Sequence, residues 1–512
     1  MMKKNDKQLN FFDKVIFDQL IPKNHLLVKI DEAFDFSFLY DRLKLKYKDC
    51  GRGSKDPVMM IKALLLEFIY GLSDVEVSKR IQTDIAFRWF LGLTMNDTGP
   101  DDTTLSHFRT QRLDDTDFEE LFNQVVGQCI DKNLVKTRRY IVDSTNVDAN
   151  VNYPSDKKLL RQAANRLAKE IKKINGTLGE QWLNELETAI QKLYGTLEKV
   201  PAKAHYKIAR KMLAELYCKT YDQLQENDHY IKAYTVCYEL IEKYLENKKD
   251  KIISILDPEA RVAYKSPGNA KTGYKNHIIM DEDSEIILGS VQTPFNVGDQ
   301  KKLLPLVEQV ENNFNLKPEE LSADKVYGTT KIRADLKDKD IISNINFSAE
   351  KGKKTDDTTR YKTEDFIIAE DILSMTCPQK ITTRQYRDFK IKNEEDSYPY
   401  RQFTVDKLHC NRCPQRERCL NKREKSKRIR VSARYDAIRK DKERIQSPEF
   451  EVAMNMRFKI ERRFGTQVNH RSGRRSRYLG MKRTAIQINI VNTVTNIIRA
   501  INIIESFSES TA

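Results

Sequence analysis

The stretch Arg138-Arg139-Tyr140-Ile141-Val142-Asp143-Ser144-Thr145-Asn146-Val147-Asp148-Ala149-Asn150 marks a change of texture in the chain. Everything before it reads as helix. Tyr140 to Val142 is a short run of β-prone residues that ends in an acid, the pattern of a buried strand presenting Asp143 at its end. Asp148, five residues on and beyond Asn146 and Val147, reads as a loop acid with a structural or secondary role.

Upstream, Asp56-Pro57 opens a helix whose apolar positions Met59, Met60, Ala63, Leu64, Phe68 and Ile69 recur at helical spacing until Gly71. Ser73-Asp74-Val75-Glu76 matches a capping box and opens a second helix. A short helix at Ile85 to Leu91, one near Thr103 with His107, Arg109 and Arg112, and an amphipathic helix at Asp114 to Asn133 follow. Short helices joined by tight turns are the pattern of a helix-turn-helix unit that binds DNA, and equally of small helical domains without a ligand.

Downstream, residues 155–251 are charged and helical, with breaks near Gly176, Gly195 and Pro201, and read as helical hairpins inserted into the fold that Asp143 belongs to. His205 and His229 there have no partner spaced to join them in a site. Strand texture returns at Ala260 to Tyr264, and a hairpin pattern runs from Asn276-His277-Ile278-Ile279-Met280 through Asp281-Glu282-Asp283-Ser284 to Val291. An amphipathic helix (Lys301 to Phe314), a strand presenting Asp324 before Gly328, a helix (Thr330 to Asp338) and a strand (Ile341 to Phe347) complete the series. This order predicts an α/β fold with a mixed sheet in which Asp143 and Asp324 occupy adjacent strands.

The later part of the chain carries two concentrations of chemistry. Cys377, Cys410, Cys413 and Cys419 supply four thiolates on an irregular polar segment, the number a closed tetrahedral zinc site needs, and His409 is an alternative ligand. Cys50, Cys129, Cys218 and Cys237 are scattered singly and read as small buried hydrophobes. Between Arg457 and Arg483 stand ten Lys/Arg and one acid, Glu461. Lys422 to Arg444 adds eleven Lys/Arg against four acids.

The chain has 512 residues, 39% of them apolar and 32% charged, enough for a sizeable core and more than one domain. Its formal charge of +15 favours a polyanionic partner, nucleic acid first, because neutralising phosphates releases condensed counterions. Met1 to Asn10 has no apolar signal region, and the isoleucine-rich Ile486 to Ile504 segment is interrupted by Asn489, Asn492, Thr493, Asn496 and Arg499. That segment reads as an amphipathic helix on a core rather than a membrane span, and the protein as cytosolic, associated with the nucleoid.

Asp143, Asp324 and Glu461 are the acids that combine most readily, two from strand ends and one from a helix. Three carboxylates can hold two divalent ions, magnesium or manganese, that activate an attacking oxygen and stabilise the leaving oxygen of a phosphodiester. The surrounding arginines suit the charge that a phosphate gains in the transition state.

The blocks Tyr140 to Thr145, Ala323 to Gly328, and Arg457 to Gly465 with Arg477-Tyr478-Leu479-Gly480 resemble the three acidic blocks of bacterial insertion-sequence transposases of the DDE type, whose fold is that of ribonuclease H and retroviral integrases. The resemblance extends to the helices from Pro57 to Arg112, to the Gly273-Tyr274 to Val291 hairpin with Thr293-Pro294 and Asn296, and to the cysteine-bearing insert. It implies a helical DNA-binding domain at 1–135, a ribonuclease-H-like core at 136–155 and 252–348, a helical insertion at 156–251, a small zinc-ribbon-like insertion at 349–446, and helices carrying the third acid at 447–512. It implies a catalytic triad of Asp143, Asp324 and Glu461, with Arg457 as the arginine of the third block. Arg462, Arg463, Arg471, Arg474, Arg475, Arg477, Lys482 and Arg483 are the accompanying DNA-binding set. Related groups carry a tyrosine and a lysine where this chain has Met454 and Val468. The implied activity is cleavage at the element's terminal inverted repeats and strand transfer into double-stranded target DNA, by a dimer once the ends are paired. A ribonuclease-H-like nuclease without strand transfer and an inactive DNA-binding regulator are the rival expectations.

Overall fold

The computed structural model describes residues 11–47, 54–151, 156–174, 177–194, 201–224, 226–248, 250–266, 269–347, 361–390 and 398–511. Met1 to Asn10, Cys50, Gly176 and Gly195 lie outside them. Helix α1 (Pro57–Tyr70) starts where Asp56 accepts the Met59 N–H at 3.0 Å and ends at Gly71, and α2 (Asp74–Thr83) opens with the Ser73/Glu76 capping box. α1 is buried along nearly its whole length, including Lys62 and Glu67. α3 (Asp115–Asp131) completes the N-terminal helices used below.

Strand β1 (Arg139–Asp148) follows, then four helices, α4 (Asp156–Ile174), α5 (Leu178–Tyr194), α6 (Ala202–Leu224) and α7 (Asp228–Leu245), which pack around a core of their own that includes Leu167, Trp182, Leu213 and Leu240. The sheet resumes with β2 (Arg261–Ser266), β3 (Asn269–Asp281) and β4 (Ile287–Pro294), passes through α8 (Leu303–Phe314) to β5 (Glu320–Ala323), and through α9 (Thr330–Asp338) to β6 (Ile342–Ile345). β3 pairs antiparallel with β1 on one side and with both β2 and β4 on the other, while β5 and β6 continue parallel from β1. The predicted mixed sheet and the element order are those observed.

β1 is longer than its apolar run suggests. Its pairing with β3 continues from Tyr140↔Asp281 to Asp148↔Gly273, so Asp143 lies in mid-strand and Asp148 belongs to the strand rather than to a loop. Ser144, Thr145 and Asn146 stay extended because a long partner strand satisfies their backbone groups. Gly273, at φ 150°, permits this: a Cβ there would sit 2.2 Å from the Val147 carbonyl oxygen.

Residues 361–444 carry two small three-stranded sheets around Phe366, Met375, Phe403, Ile429 and Val431. α10 (Phe458–His470) and α11 (Met481–Thr511) return to the large sheet. The largest core joins the N-terminal helices, the sheet, α8, α10 and α11.

Over most of its first half α11 is buried on all sides rather than amphipathic. From Thr484 to Ile497 only Ala485 is more than marginally accessible, and Asn489, Asn492, Thr493 and Asn496 are buried with the isoleucines. These polar groups are bonded rather than solvated. Asn496 both accepts from the Ile287 N–H and donates to the Ile287 carbonyl at 2.8 Å, and Asn492 Oδ1 accepts from Asn276 at 3.2 Å and Gln467 at 2.7 Å. No described helix is long and apolar enough to cross a membrane.

Candidate active site

The parallel register of β1 and β5 pairs Val142 with Ala323, so Asp143 and Asp324 are the next two residues in line. Asp143 Oδ1 accepts the N–H of Ser144 at 2.8 Å, and Arg457 Nη2 donates to its Oδ2 at 3.3 Å. Burial pushes the Asp143 carboxyl up to about 6, with Asp324 and Asp299 acting the same way and the Ser144 N–H and Arg457 opposing them. Asp324 caps the short turn Lys325–Tyr327, accepting the Lys325 N–H at 2.6 Å. Gly328 closes that turn where a Cβ would meet Arg333 Nη2 at 2.5 Å and the Asn346 carbonyl at 2.9 Å.

Glu461 is exposed in the first turn of α10. Arg457, one helical turn earlier, is the tie between this helix and Asp143. The structure thus brings Asp143 and Asp324 side by side and directs the Glu461 helix to the same strand. Among the described residues no group of three or more His, Cys, Asp or Glu side chains has metal-holding geometry. The donor chemistry nonetheless fits a hard divalent cation: Asp324 and Asp299 raise the proton affinity of Asp143, a repulsion that a bound cation would reverse.

The arginines around Glu461 divide into two groups. Arg462 pairs with Glu285, Arg463 Nε lies 2.8 Å from the same carboxylate, and Arg499 lies 3.4 Å away. Glu285 is 1% exposed, sits at φ 59° in the β3–β4 turn, and fastens α10 to that hairpin. Lys459 adds a bond to the Glu282 carbonyl at 3.0 Å. Arg471 donates to the Ile69 carbonyl at 2.7 Å and Arg477 to the Leu72 carbonyl at 2.9 Å, at the end of α1. Arg477 and Arg109 each lie 3.5 Å from the fully buried Glu67, and Arg109 also grips Asp74 at 2.6 Å. Burial and the Asp74 carboxylate push the Glu67 carboxyl up to about 9, against the two arginines.

The other group faces solvent. Asp148 N–H donates to the Arg474 carbonyl and Ser476 N–H to the Asp148 carbonyl, both at 2.8 Å, so residues 474–476 form a short bridge along β1. Arg474, Arg475, Lys482 and Arg483 are exposed there.

Reading the sequence missed Glu285, Glu67 and Asp299. The first lies beside an acidic turn that looks solvated, the second on an apparently apolar helix, and the third where an acid before a helix suggests only a cap. His277 is fully buried, with Nε2 2.8 Å from Thr293 Oγ1. Cys377, Cys410, Cys413 and Cys419 line one cavity together with His409. Burial pushes the Cys419 thiol up, as do Cys410, Cys413 and Cys377 beside it, while Lys427 opposes the shift.

Residues 15–111 match the family described as a transposase domain (DUF772), and residues 376–501 match a transposase DDE domain. Both ends of the chain thus match families of transposases. Together the matches support an insertion-sequence transposase of the DDE type. The second match contains the four cysteines, Glu461 and most of α11; Asp143 and Asp324 fall between the two matched segments. No curated protein and no solved structure matches this chain.

Proposed function

We propose that this transposase binds the terminal inverted repeats of its own element, cleaves a strand there to expose a 3′-hydroxyl, and joins that hydroxyl to target DNA. The observation that carries the proposal is the in-register placement of Asp143 beside Asp324, with the Glu461 helix tied to Asp143 through Arg457, in a chain with a transposase match at each end. Asp143, Asp324 and Glu461 would hold magnesium or manganese, which supplies activation of the attacking oxygen and stabilisation of the leaving one. Arg457 orients Asp143. Arg474, Arg475, Lys482 and Arg483 are placed to hold phosphates next to β1, whereas Arg462, Arg463, Arg471 and Arg477 position the helix and strap that carry the site.

In this reading the mixed sheet, with β1 between an antiparallel and a parallel partner, is a ribonuclease-H-like core. Residues 1–135 recognise DNA, residues 156–251 and 349–446 are insertions, and Cys377, Cys410, Cys413 and Cys419 bind a structural zinc. Pairing two ends calls for two copies of the chain.

The test uses purified protein, labelled DNA from each flank of its own gene, a supercoiled plasmid and Mg2+ or Mn2+. Nicking at the element ends followed by covalent joining to the plasmid is expected, with both steps abolished by Asp143→Asn, Asp324→Asn and Glu461→Gln. Cleavage without joining would indicate a nuclease, and end binding without cleavage a regulator.

A further inference from the structure

Behind Asp143, on the opposite face of β1, lies a polar network that the proposed chemistry does not use. Successive side chains of a strand alternate between faces, so Ser144 points away from Asp143 and shares its face with His277, its direct partner on β3, and with Lys275 two residues earlier. These three side chains converge on Asp299, in the 3-10 turn Asp299–Lys302 that leads into α8. Asp299 Oδ1 accepts from Ser144 Oγ at 3.1 Å and from Lys275 Nζ at 2.8 Å, and His277 Nδ1 lies 3.7 Å away. Lys275 is fixed a second time by the Val297 carbonyl at 2.9 Å, and His277 by Thr293.

Ser144 is therefore held at two points. Its amide N–H donates to the carboxylate of Asp143, and its hydroxyl donates to Asp299. We propose that Asp299 is a positioning residue for strand cleavage: by clamping Ser144 from the far face of the sheet it fixes the amide that aims the Asp143 carboxylate. This rests on the reading of Asp143 as a metal-binding acid. A carboxylate that must share a cation with a neighbour has to be held within about 0.5 Å of its working geometry, and Asp299 supplies that restraint through a single intervening residue. Among the described residues the buried His277 Nδ1 on this network has no hydrogen-bond partner. Asp299 is the anion to which both the Lys275 ammonium and the Ser144 hydroxyl are bonded.

The experiment compares wild type with Asp299→Ala, Asp299→Asn, Ser144→Ala and the double variant Asp299→Ala/Ser144→Ala. Manganese binding is read by electron paramagnetic resonance on the DNA-free protein, alongside strand cleavage at varied Mn2+ and binding of end DNA. Asp299→Ala is expected to weaken manganese binding and to raise half-saturating Mn2+ for cleavage by about 10-fold or more, the usual effect of losing a residue behind a metal ligand. End-DNA affinity should stay within about twofold, and cleavage should recover at high Mn2+. Asp299→Asn keeps an acceptor for Ser144 and should recover much of the loss. The double variant should be little worse than either single one, because both break the same link.

If Asp299→Ala proves unfolded, Ser144→Ala, which leaves the Lys275 contact intact, decides by the same readouts. Wild-type manganese binding and cleavage in the decisive variant, while Asp143→Asn loses both, would overturn the role of Asp299. Retention of both by Asp143→Asn would instead overturn the reading of Asp143.

Discussion

Arg463 and Arg474 lie eleven residues apart in the same basic stretch, yet one faces a buried glutamate and the other faces solvent. The same division separates Arg471 and Arg477, bonded to the end of α1, from Arg475 and Arg483. The inward cations hold α10 and the following strap to the rest of the protein, and Arg474, Arg475 and Arg483 face solvent. Proximity in sequence to Glu461 thus does not identify a phosphate contact. What decides is whether a buried acceptor is already within reach.

The largest effect that can test this division is the pH dependence contributed by Glu67, the acid beneath Arg477 and Arg109. Its folded-state value of about 9 lies above the ordinary 4.5, so the folded chain keeps a proton that the unfolded chain has released. The contribution to stability is complete below pH 4.5 and is lost as pH rises toward 9, with a slope of up to about 1.4 kcal/mol per pH unit. Urea denaturation of wild type and Glu67→Gln across this range should show the difference. Equal slopes would mean that Glu67 is ionised and that the arginines dominate its surroundings.

Next in size is Glu285→Ala, which strands Arg463 and Arg499 beside an empty site and should destabilise the protein by about 3–5 kcal/mol in the same assay. A loss below about 1 kcal/mol would place these cations among the solvent-facing ones. Arg477→Ala leaves the Leu72 carbonyl without that donor and Glu67 with Arg109 as its remaining cation, and should cost about 1–3 kcal/mol. Arg483→Ala should stay within about 0.5 kcal/mol. The smallest effect on stability, and the sharpest on binding, is expected of Arg474→Gln/Arg475→Gln. The unfolding midpoint should not move, while the slope of log affinity for DNA against log salt falls by about 2. An unchanged slope would remove these two from the DNA-contacting set.

Asp143 and Asp324 were legible because each follows a short apolar run before a turn or polar segment, and parallel neighbours bring such residues into line. The full length of β1 was not, since Ser144 to Asp148 has no apolar alternation and is held extended by β3 and by residues 474–476. The polar residues of α11 misled for a related reason. Asn492 and Asn496 look like a solvent face, but they serve backbone and side-chain groups inside the fold, a role visible only when the partner strand is in place. Glu285 escaped notice because the arginines that define it come from α10 and α11, about 180 and 214 residues away.

The central position of α11 also orders the making of the molecule. A chain emerges from the ribosome N-terminus first, and the strands bearing Asp143 and Asp324 are complete long before Met481 appears. Until the segment from Thr484 to Ile501 follows, Ile287 lacks the Asn496 side chain that bonds it and the N-terminal helices lack their innermost packing partner. Any shortened product ending before that helix therefore leaves the back of the sheet bare, even where it already carries Asp143, Asp324 and Glu461. The finished fold is withheld from fragments by vectorial synthesis itself.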